Sequence, residues 1–320
     1  MKCKICGNTE NLIEFHIQEK MFGSGAEFIY FQCSQCQCLQ IKDIPENMEK
    51  YYPHDYYSYR KISKTLLPGL KQALLQLKNR YALFGNGVLG KLLSLVSYNQ
   101  ALESLKILNI ARDSRIMDVG CGSGALLCSM KNLGFTHLAG IDPFIREKIV
   151  YDSGLVIHKQ NIHQIKDTWD IVMFHHSFEH MPDPCETLKS VSQILSDNGW
   201  CVVRIPTVSS YAWSHYRENW VQLDAPRHLF LHSIESMQYL AALTRLELVD
   251  VVFDSTAFQF WGSEQYQKGI ALGDKNSYGI DPARSIFSQR KMLMFARKAK
   301  MLNRTHQGDQ AAFYFRRRRV

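Results

Sequence analysis

The chain has 320 residues, a formal net charge of +8 and 46% hydrophobic residues, which suits one large core with a smaller module. No stretch reaches the roughly 18 uninterrupted apolar residues that a membrane span needs, and the N-terminus lacks the apolar segment of a signal peptide. We therefore expect a cytoplasmic protein, in which nine cysteines favour metal ligation or packing over disulfides.

The first predicted element is a metal-binding module over residues 1–45. Cys3 and Cys6 form one C-x-x-C pair, and Cys33 and Cys36 form a second. Each two-residue spacer lets a tight turn aim both sulfurs at one point, and four thiolates suit a tetrahedral zinc ion. A redox motif would need only one such pair in a thioredoxin-like unit. The spacing predicts a zinc-ribbon-like module whose Zn²⁺ is structural, because four ligands leave no open position.

A tyrosine-rich stretch, YYPHDYYSY, belongs to the second segment, which we predict to cover residues 46–105. No acidic residue occurs within 56–102, while leucines recur at helical spacing beside Lys64, Lys71 and Lys78. Such a basic amphipathic helix can pack on its own domain with a solvated edge. Alternatively, it can lie on an anionic membrane surface or bind a polyanionic substrate.

From residue 115 onwards, short apolar strands alternate with helical stretches. Seven strands are predicted: RIMDV, HLAGID, LVIHK, DIVMFHHS, WCVVRIP, LELVDVVFD and KMLMFARK. This alternation predicts an α/β domain over residues 106–300, with a doubly wound, mostly parallel seven-stranded sheet and ligands at the carboxyl ends of its strands. The last residues, 301–320, end in FRRRRV and are predicted to form a solvated, mobile basic tail.

The stretch MDVGCGSGALL places Gly120, Gly122 and Gly124 between a strand and a helix. Glycines are kept at such a turn where a ligand or another backbone leaves no room for a Cβ. Asp142, which ends the next strand in GID, can accept both ribose hydroxyls of an adenosine. A dinucleotide is one candidate ligand. Asp118, however, lies two residues before the first glycine, where its negative charge would repel a pyrophosphate. A cationic ligand is therefore favoured over a dinucleotide.

Four motifs in order, DVGCGSG, GIDP, NI at 161–162 and DIVMFHHSFEHMPDP at 170–184, resemble the class I S-adenosylmethionine-dependent methyltransferases. The resemblance covers roughly residues 100–300 and implies a Rossmann-like fold, methyl transfer as the activity and S-adenosylmethionine as the cofactor. The cofactor-binding residues that it implies are Asp118, Gly120, Cys121, Gly122, Gly124 and Asp142, with Asn161 and Ile162 at the adenine and His175 and His176 beside the methionine moiety.

A narrower resemblance rests on the four-cysteine module, the tyrosine-rich stretch, LDAPRHLFLHS and FWGSEQY. Together they resemble methyltransferases of surface-polysaccharide and modified-sugar pathways, some of which methylate sugars at carbon or oxygen. The acceptor implied is a small molecule or glycan, namely a sugar, a nucleotide-sugar or a lipid-linked glycan.

A sugar hydroxyl needs a base when it attacks the methyl group. His228 is the first candidate because DAPRHLF lies between strands five and six, where such folds cover the acceptor, and His180 of FEHMPDP is the second. Either can instead be structural, His180 by fixing its loop and His228 by capping the next helix. Asp224 could orient His228. The predicted substrate-binding residues are Tyr216, Trp220, Arg227, Trp261 and Tyr266, of which the arginine also suits a phosphate.

Two other classes remain open at this point. An RNA methyltransferase could use the zinc module and the basic helix to bind RNA, although we expect no sequence-specific nucleic-acid binding because no reader fold is recognised. A non-catalytic interaction protein organised by cofactor or zinc is the second alternative. The intact glycine loop and Asp142 argue against a degenerate site, and the sequence leaves the oligomeric state open.

Overall fold

The computed structural model describes residues 1–52, 69–94 and 99–318. The tyrosine-rich stretch beyond Tyr52 and the first part of the predicted basic helix, with Lys64, therefore lie outside the described residues. None of the helices in the described part of the chain has the length and apolar content to cross a membrane.

The described residues form twelve strands in two sheets, with the orders β1-β2-β3-β10 and β11-β12-β9-β8-β4-β5-β7-β6. The strands are β1 (Ile13–Gln18), β2 (Glu27–Gln32), β3 (Leu39–Ile41), β4 (Ile116–Val119), β5 (Leu138–Ile141), β6 (Ile149–Val150), β7 (Val156–His158), β8 (Trp169–His175), β9 (Leu195–Pro206), β10 (Phe230–Leu231), β11 (Leu246–Phe253) and β12 (Gln310–Arg317).

Nine α-helices are found in the described residues, and several of them connect consecutive strands of the large sheet. They are α1 (Gly69–Phe84), α2 (Val88–Ser94), α3 (Gln100–Ser104), α4 (Ala125–Asn132), α5 (Pro184–Ile194), α6 (Tyr211–Tyr216), α7 (Ile234–Leu243), α8 (Phe258–Gln267) and α9 (Gln289–Arg304). In α5, for example, Pro184 occupies the first turn, where its missing N–H costs nothing, and Leu188 and Val191 are buried.

The large sheet confirms a doubly wound α/β fold with a mostly parallel sheet. Strands β7, β5, β4, β8 and β9 pair in parallel, while β12 runs antiparallel to both of its neighbours. All four residues of β4 are buried, as expected for a strand covered on both faces. The sheet has eight strands in the described residues instead of the seven expected, because β6 and β12 join six of the predicted strands and the seventh, KMLMFARK, is helical.

The predictions for the C-terminal region were wrong. KMLMFARK lies within α9, where Phe295, Ala299 and Leu302 are buried at helical spacing. Part of the segment predicted to be a mobile basic tail forms strand β12. This strand lies between β9 and β11, and its first six residues are buried. AAFYF supplies the apolar side chains of this strand, and two ladders satisfy its backbone. Only the arginines at its end remain exposed.

The N-terminal module is not a separate unit. The fourth strand of its sheet is β10, which pairs antiparallel with β3 through Phe230 opposite Gln40 and Leu231 opposite Leu39. The hydroxyl of Tyr30 also donates to the carbonyl of His228 at 2.8 Å. The predicted boundary near residue 45 is therefore crossed by both main-chain and side-chain hydrogen bonds.

Candidate active site

The glycine loop follows β4. Two features of the protein itself, the backbone conformation of the loop and the side chains close to it, account for its glycines without a ligand. Gly120, Gly122 and Gly124 all have positive φ, at 71°, 55° and 81°, which favours glycine. A Cβ on Gly120 would lie 2.5 Å from Cβ of Ser177, and one on Gly124 would lie 2.6 Å from Cδ1 of Ile157. The close approach predicted from the sequence is thus made, for these two glycines, by side chains of the protein itself.

Asp142 immediately follows β5, and its side chain connects the glycine loop to the loop after β5. Its carboxylate accepts hydrogen bonds from the backbone N–H of Gly122 at 2.9 Å and of Phe144 at 2.8 Å. Burial raises the pKa of Asp142, although these backbone donors oppose the shift. Asp118, in β4, is also buried, and burial together with the charge of Asp142 raises its pKa well above the ordinary range. A positively charged ligand here would favour the ionised form of both carboxyl groups.

The other residues predicted to bind cofactor lie at the same edge of the sheet. Cys121 is half-buried in the glycine loop. Asn161 is exposed after β7, and its backbone N–H donates to the side chain of Gln164, whereas the side chain of Ile162 packs in the core. His175 ends β8, and neither of its ring nitrogens has a hydrogen-bond partner among the described residues. Because burial lowers the pKa of His175 well below its ordinary value, this imidazole is neutral.

A second group, which we call the histidine cluster, consists of Glu179, His176, His180 and His228. Glu179 is fully buried, and within the described part of the chain no donor meets hydrogen-bond geometry at either carboxylate oxygen. Nδ1 of His176 lies 3.5 Å from its Oε1, and Nε2 of His228 lies 3.8 Å from it. Burial opposes ionisation, but the surrounding imidazoles outweigh it and lower the pKa of Glu179 to about 2.

Backbone carbonyls orient two imidazoles of the cluster. Nδ1 of His180 lies 2.7 Å from the carbonyl oxygen of Arg227, and Nδ1 of His228 lies 2.7 Å from that of Gln222. Because a carbonyl can only accept, both Nδ1 atoms carry a proton, so the neutral form of each ring has its lone pair on Nε2. In His228 this Nε2 also lies 3.8 Å from a carboxylate oxygen of Asp224. Neutral His228 would therefore have the tautomer that a general base needs.

Ser177 joins the histidine cluster to the glycine loop. Its hydroxyl donates to the carbonyl of Val119 at 2.6 Å, and its Cβ occupies the space beside Gly120. The short 3₁₀ helix that follows Ser177 ends at His180. The two sites are thus adjacent parts of one edge of the sheet.

Two residues of this region have backbone conformations that non-glycine residues rarely adopt. His176 has φ of 52° and Asp224 has φ of 40°. Left-handed conformations of this kind cost energy and recur at functional sites, where the surrounding structure enforces them. This observation adds to the case for the histidine cluster as part of an active site.

Arg227 does not face an acceptor, contrary to the prediction. Its side chain is fully buried, where Nη2 lies 2.9 Å from the carboxylate of Glu19 and Nε lies 3.0 Å from both oxygens of Asp224. Although burial opposes it, Asp224 raises the pKa of this guanidinium, and in return Arg227 lowers the pKa of Glu19 and of Asp224 against their own burial. The group is a structural ion-pair network, and its buried guanidinium has no exposed surface to offer a phosphate.

The predicted aromatic acceptor site is mostly core. Trp220 has no exposed surface, and its indole N–H donates to the carboxylate of Asp309 at 2.9 Å. Tyr216 and Tyr266 are also buried, which contradicts the prediction that these rings face an acceptor. Trp261 is half-buried and can still contribute a ring edge. Large aromatics close to a site more often fill the core beneath it.

The four predicted zinc ligands converge. Sγ of Cys3 and Cys36 are 3.5 Å apart, as are Sγ of Cys6 and Cys33, and all four sulfurs lie within 4.8 Å of one another. Zn–S bonds of about 2.3 Å in a tetrahedron place sulfurs about 3.8 Å apart, so the arrangement fits zinc. The hydrogen bond between Cys3 and Cys36 lowers the pKa of Cys3 and raises that of Cys36, as in a pair of sulfurs that shares one proton.

We expect the purified protein to contain about one zinc per chain. Cys36→Ser should remove that metal, because a neutral hydroxyl replaces a thiolate ligand, whereas Cys185→Ala, outside the group, should keep it. The measurement is elemental analysis of both variants. A metal-free parent with four readily alkylated thiols would contradict the zinc site. A second equivalent would instead indicate metal at Glu179, His180 and His228, whose ligand atoms also lie within 4.8 Å of one another.

The doubly wound sheet places the glycine loop, Asp142 and the histidine cluster at the carboxyl ends of its strands, the edge at which such sheets bind ligands. Residues 91–251, half of the chain, match the family described as "Methyltransferase domain". The chain belongs to this family.

Two curated relatives are similar over part of this region. The Ubiquinone biosynthesis O-methyltransferase of Aeromonas salmonicida (strain A449) is 30% identical over 96 residues, covering 27% of this chain and 40% of that protein. The protein of the same description from Colwellia psychrerythraea is 30% identical over 109 residues, or 31% and 44% of the two chains. The match thus spans less than half the length of either relative. A solved S-adenosylmethionine-dependent methyltransferase from Thermotoga maritima is 12% identical, with a TM-score of 0.44, covering 76% of this chain and 99% of that one.

Proposed function

We propose that this protein transfers the methyl group of S-adenosylmethionine to a hydroxyl group of a sugar, a nucleotide-sugar or a lipid-linked glycan. The observation that carries the proposal is the contact of Ser177 with Gly120, which sets the histidine cluster beside the loop assigned to the cofactor. A methyl donor and a base are thereby held at neighbouring positions. Family membership supports the reaction class.

The residues at the glycine loop suit this cofactor. Asp142 would accept the ribose hydroxyls, and the backbone at Gly120 and Gly122 would lie beside the amino-acid end. The buried carboxyl of Asp118 would be ionised more readily by a positively charged ligand. When bound, S-adenosylmethionine supplies an electrophilic methyl group on a positively charged sulfur. The protein must then align the acceptor and exclude water.

His228 is the proposed general base. Its Nε2 lone pair would take the hydroxyl proton while the acceptor oxygen forms its bond to the methyl carbon and the bond from that carbon to sulfur breaks. Glu179 and Asp224, each 3.8 Å from Nε2, would stabilise the imidazolium that results. His180 can serve the same role because it has the same tautomer.

Two observations support an oxygen acceptor, and a third supports the sugar class. The candidate base is an imidazole, which a hydroxyl requires and an activated carbon or amine needs less. The curated relatives are named as O-methyltransferases. The four-cysteine module and the LDAPRHLFLHS segment resemble methyltransferases of sugar pathways, and the second of these contains His228.

Asp142→Ala should weaken binding of S-adenosylmethionine at least about 100-fold, because two charge-assisted hydrogen bonds of about 1.5–3 kcal/mol each are lost. Calorimetry on the parent, on this variant and on the exposed control Asp113→Ala measures the effect. The control should bind as the parent does. No binding by the parent, or equal affinity in Asp142→Ala, would contradict the cofactor assignment.

The acceptor class is tested by incubating the protein with cofactor labelled in the methyl group and a panel of nucleotide-sugars, followed by mass analysis. We expect a labelled methyl group on one of them, and no transfer with Asp142→Ala. Transfer to a phenolic ring compound but to no sugar would keep the reaction class and overturn the acceptor. Transfer to RNA alone would favour the RNA alternative.

A further inference from the structure

The first half of α1 and most of α2 are poorly covered by the rest of the protein. The two helices pack closely, since a Cβ on Gly90 would lie 2.6 Å from the carbonyl oxygen of Leu77. Away from this contact, six large apolar side chains are exposed by between 38% and 80%, and we call this set the hairpin face: Leu70, Leu75, Leu77, Val88, Leu89 and Leu92. So many exposed apolar side chains on two packed helices indicate an interaction site.

The charge around the hairpin face is of one sign. Lys71, Arg80 and Lys91 are exposed on the same two helices, and residues 56–102 contain no Asp or Glu. The acidic side chains close to this region line a cavity behind it, and one of them, Asp254, is already paired with Arg204. Exposed apolar and cationic side chains thus alternate along the sequence of these two helices.

Helix α9 extends the same basic side of the molecule. It borders, together with α1 and α2, a cavity of about 1530 Å³, to which α9 contributes Ala296, Lys300 and Asn303. Within its 16 residues α9 has six basic and no acidic side chains, and it exposes apolar ones as well, namely Leu293, Met294 and Met301. The combination of apolar and cationic residues therefore covers more than one helix.

The chemistry of this surface selects among partners. A second copy joined about a two-fold axis would bring like charges together. RNA would engage the lysines but would leave the leucines in water. An anionic bilayer offers negative charge at its surface and an apolar layer directly beneath it, which matches interleaved lysine and leucine.

We propose that the hairpin face docks on an anionic phospholipid membrane surface. The 16 residues of α1 span about 24 Å. In this arrangement the helix lies in the plane of the surface and its leucines reach into the boundary between headgroups and acyl chains. Lys71, Arg80 and Lys91 then lie at the level of the lipid phosphates. This proposal is independent of the acceptor and of the methyl-transfer reaction.

The test is co-sedimentation of the full chain with sonicated vesicles of phosphatidylglycerol and phosphatidylcholine in a 1:1 mixture, compared with phosphatidylcholine alone. We expect binding to the anionic vesicles that weakens as salt rises. Lys71→Glu combined with Lys91→Glu should reduce the partition coefficient roughly 30-fold or more, since each juxtamembrane cation contributes about a factor of five. Leu89→Ser combined with Leu92→Ser should reduce it at least about tenfold.

The control variant changes one exposed lysine and one exposed apolar side chain elsewhere on the surface. Lys166→Glu combined with Ile286→Ser should sediment as the parent does, because both residues are exposed outside the hairpin face. Calorimetry with S-adenosylmethionine checks that each variant is folded. Equal binding of the hairpin and control variants, or no binding of the parent to anionic vesicles, would overturn the proposal. So would a parent dimer in solution that Leu89→Ser with Leu92→Ser dissociates, because the face would then be covered by a second copy.

Discussion

His228→Ala is expected to slow turnover by about 10²–10⁴-fold while affinity for S-adenosylmethionine stays at the parent value. The loss follows because Nε2 of His228 is the proposed proton acceptor. The ring is oriented for this role by the contact of its Nδ1 with the carbonyl of Gln222. The cofactor loop is contacted through Ser177 and not through His228, so binding should survive. Single-turnover kinetics with the identified acceptor, together with calorimetry, separate the two quantities.

A surface histidine serves as the control for this experiment. His137 is exposed, and His137→Ala should turn over as the parent does. If His228→Ala turns over nearly as fast as the parent, His228 has a structural role only. The same substitution would then be tested at His180, whose Nδ1 also contacts a backbone carbonyl. Loss of cofactor binding in His228→Ala would show instead that the loop carrying it supports the cofactor site.

Arg227→Met is expected to lower the free energy of unfolding by about 3–5 kcal/mol. The guanidinium is the partner of two largely buried carboxylates, Glu19 and Asp224, and methionine replaces its volume but not its charge. Glu19 would then be buried without a counterion and Asp224 would keep only the imidazole of His228, a state that costs far more than a surface pair contributes. Urea unfolding followed by tryptophan fluorescence measures the change.

An exposed ion pair of the same type provides the comparison. Nε of Arg284 lies 3.3 Å from Asp281, but the two side chains are 65% and 39% exposed. Arg284→Met should therefore change the free energy of unfolding by about 0–1 kcal/mol. A similar small change for Arg227→Met would mean that Glu19 and Asp224 take up protons or water on its removal, and the network would then contribute little to stability.

Local signals in the sequence predicted the glycine loop, Asp142 and the position of His228 between the fifth and sixth strands. These features depend on residues close together in the chain, because a strand, a tight turn and a helix are specified by neighbouring side chains. The four cysteines are a partial exception, because the two C-x-x-C pairs are far apart in the chain and meet only in the fold. The spacing within each pair is local, however, and was enough to predict the metal site.

Roles set by distant partners could not be predicted in this way. Arg227 was expected at a substrate, but its partner Glu19 is 208 residues away in the chain. Trp220 was expected at an acceptor, but Asp309 accepts its N–H. The C-terminal strand was missed for a related reason, because the run of arginines concealed AAFYF, whose burial depends on β9 and β11 on either side.

The short strand β10 determines the order in which the protein can assemble. It starts two residues after His228 and completes the sheet begun by β1, β2 and β3. A nascent chain can bring its four cysteines together as soon as residue 36 has left the ribosome, but the edge of β3 stays open until residue 231 has emerged. During translation this edge is a site for mispairing with other chains. The segment that carries the proposed base is thus the one that completes the sheet begun by β1, β2 and β3.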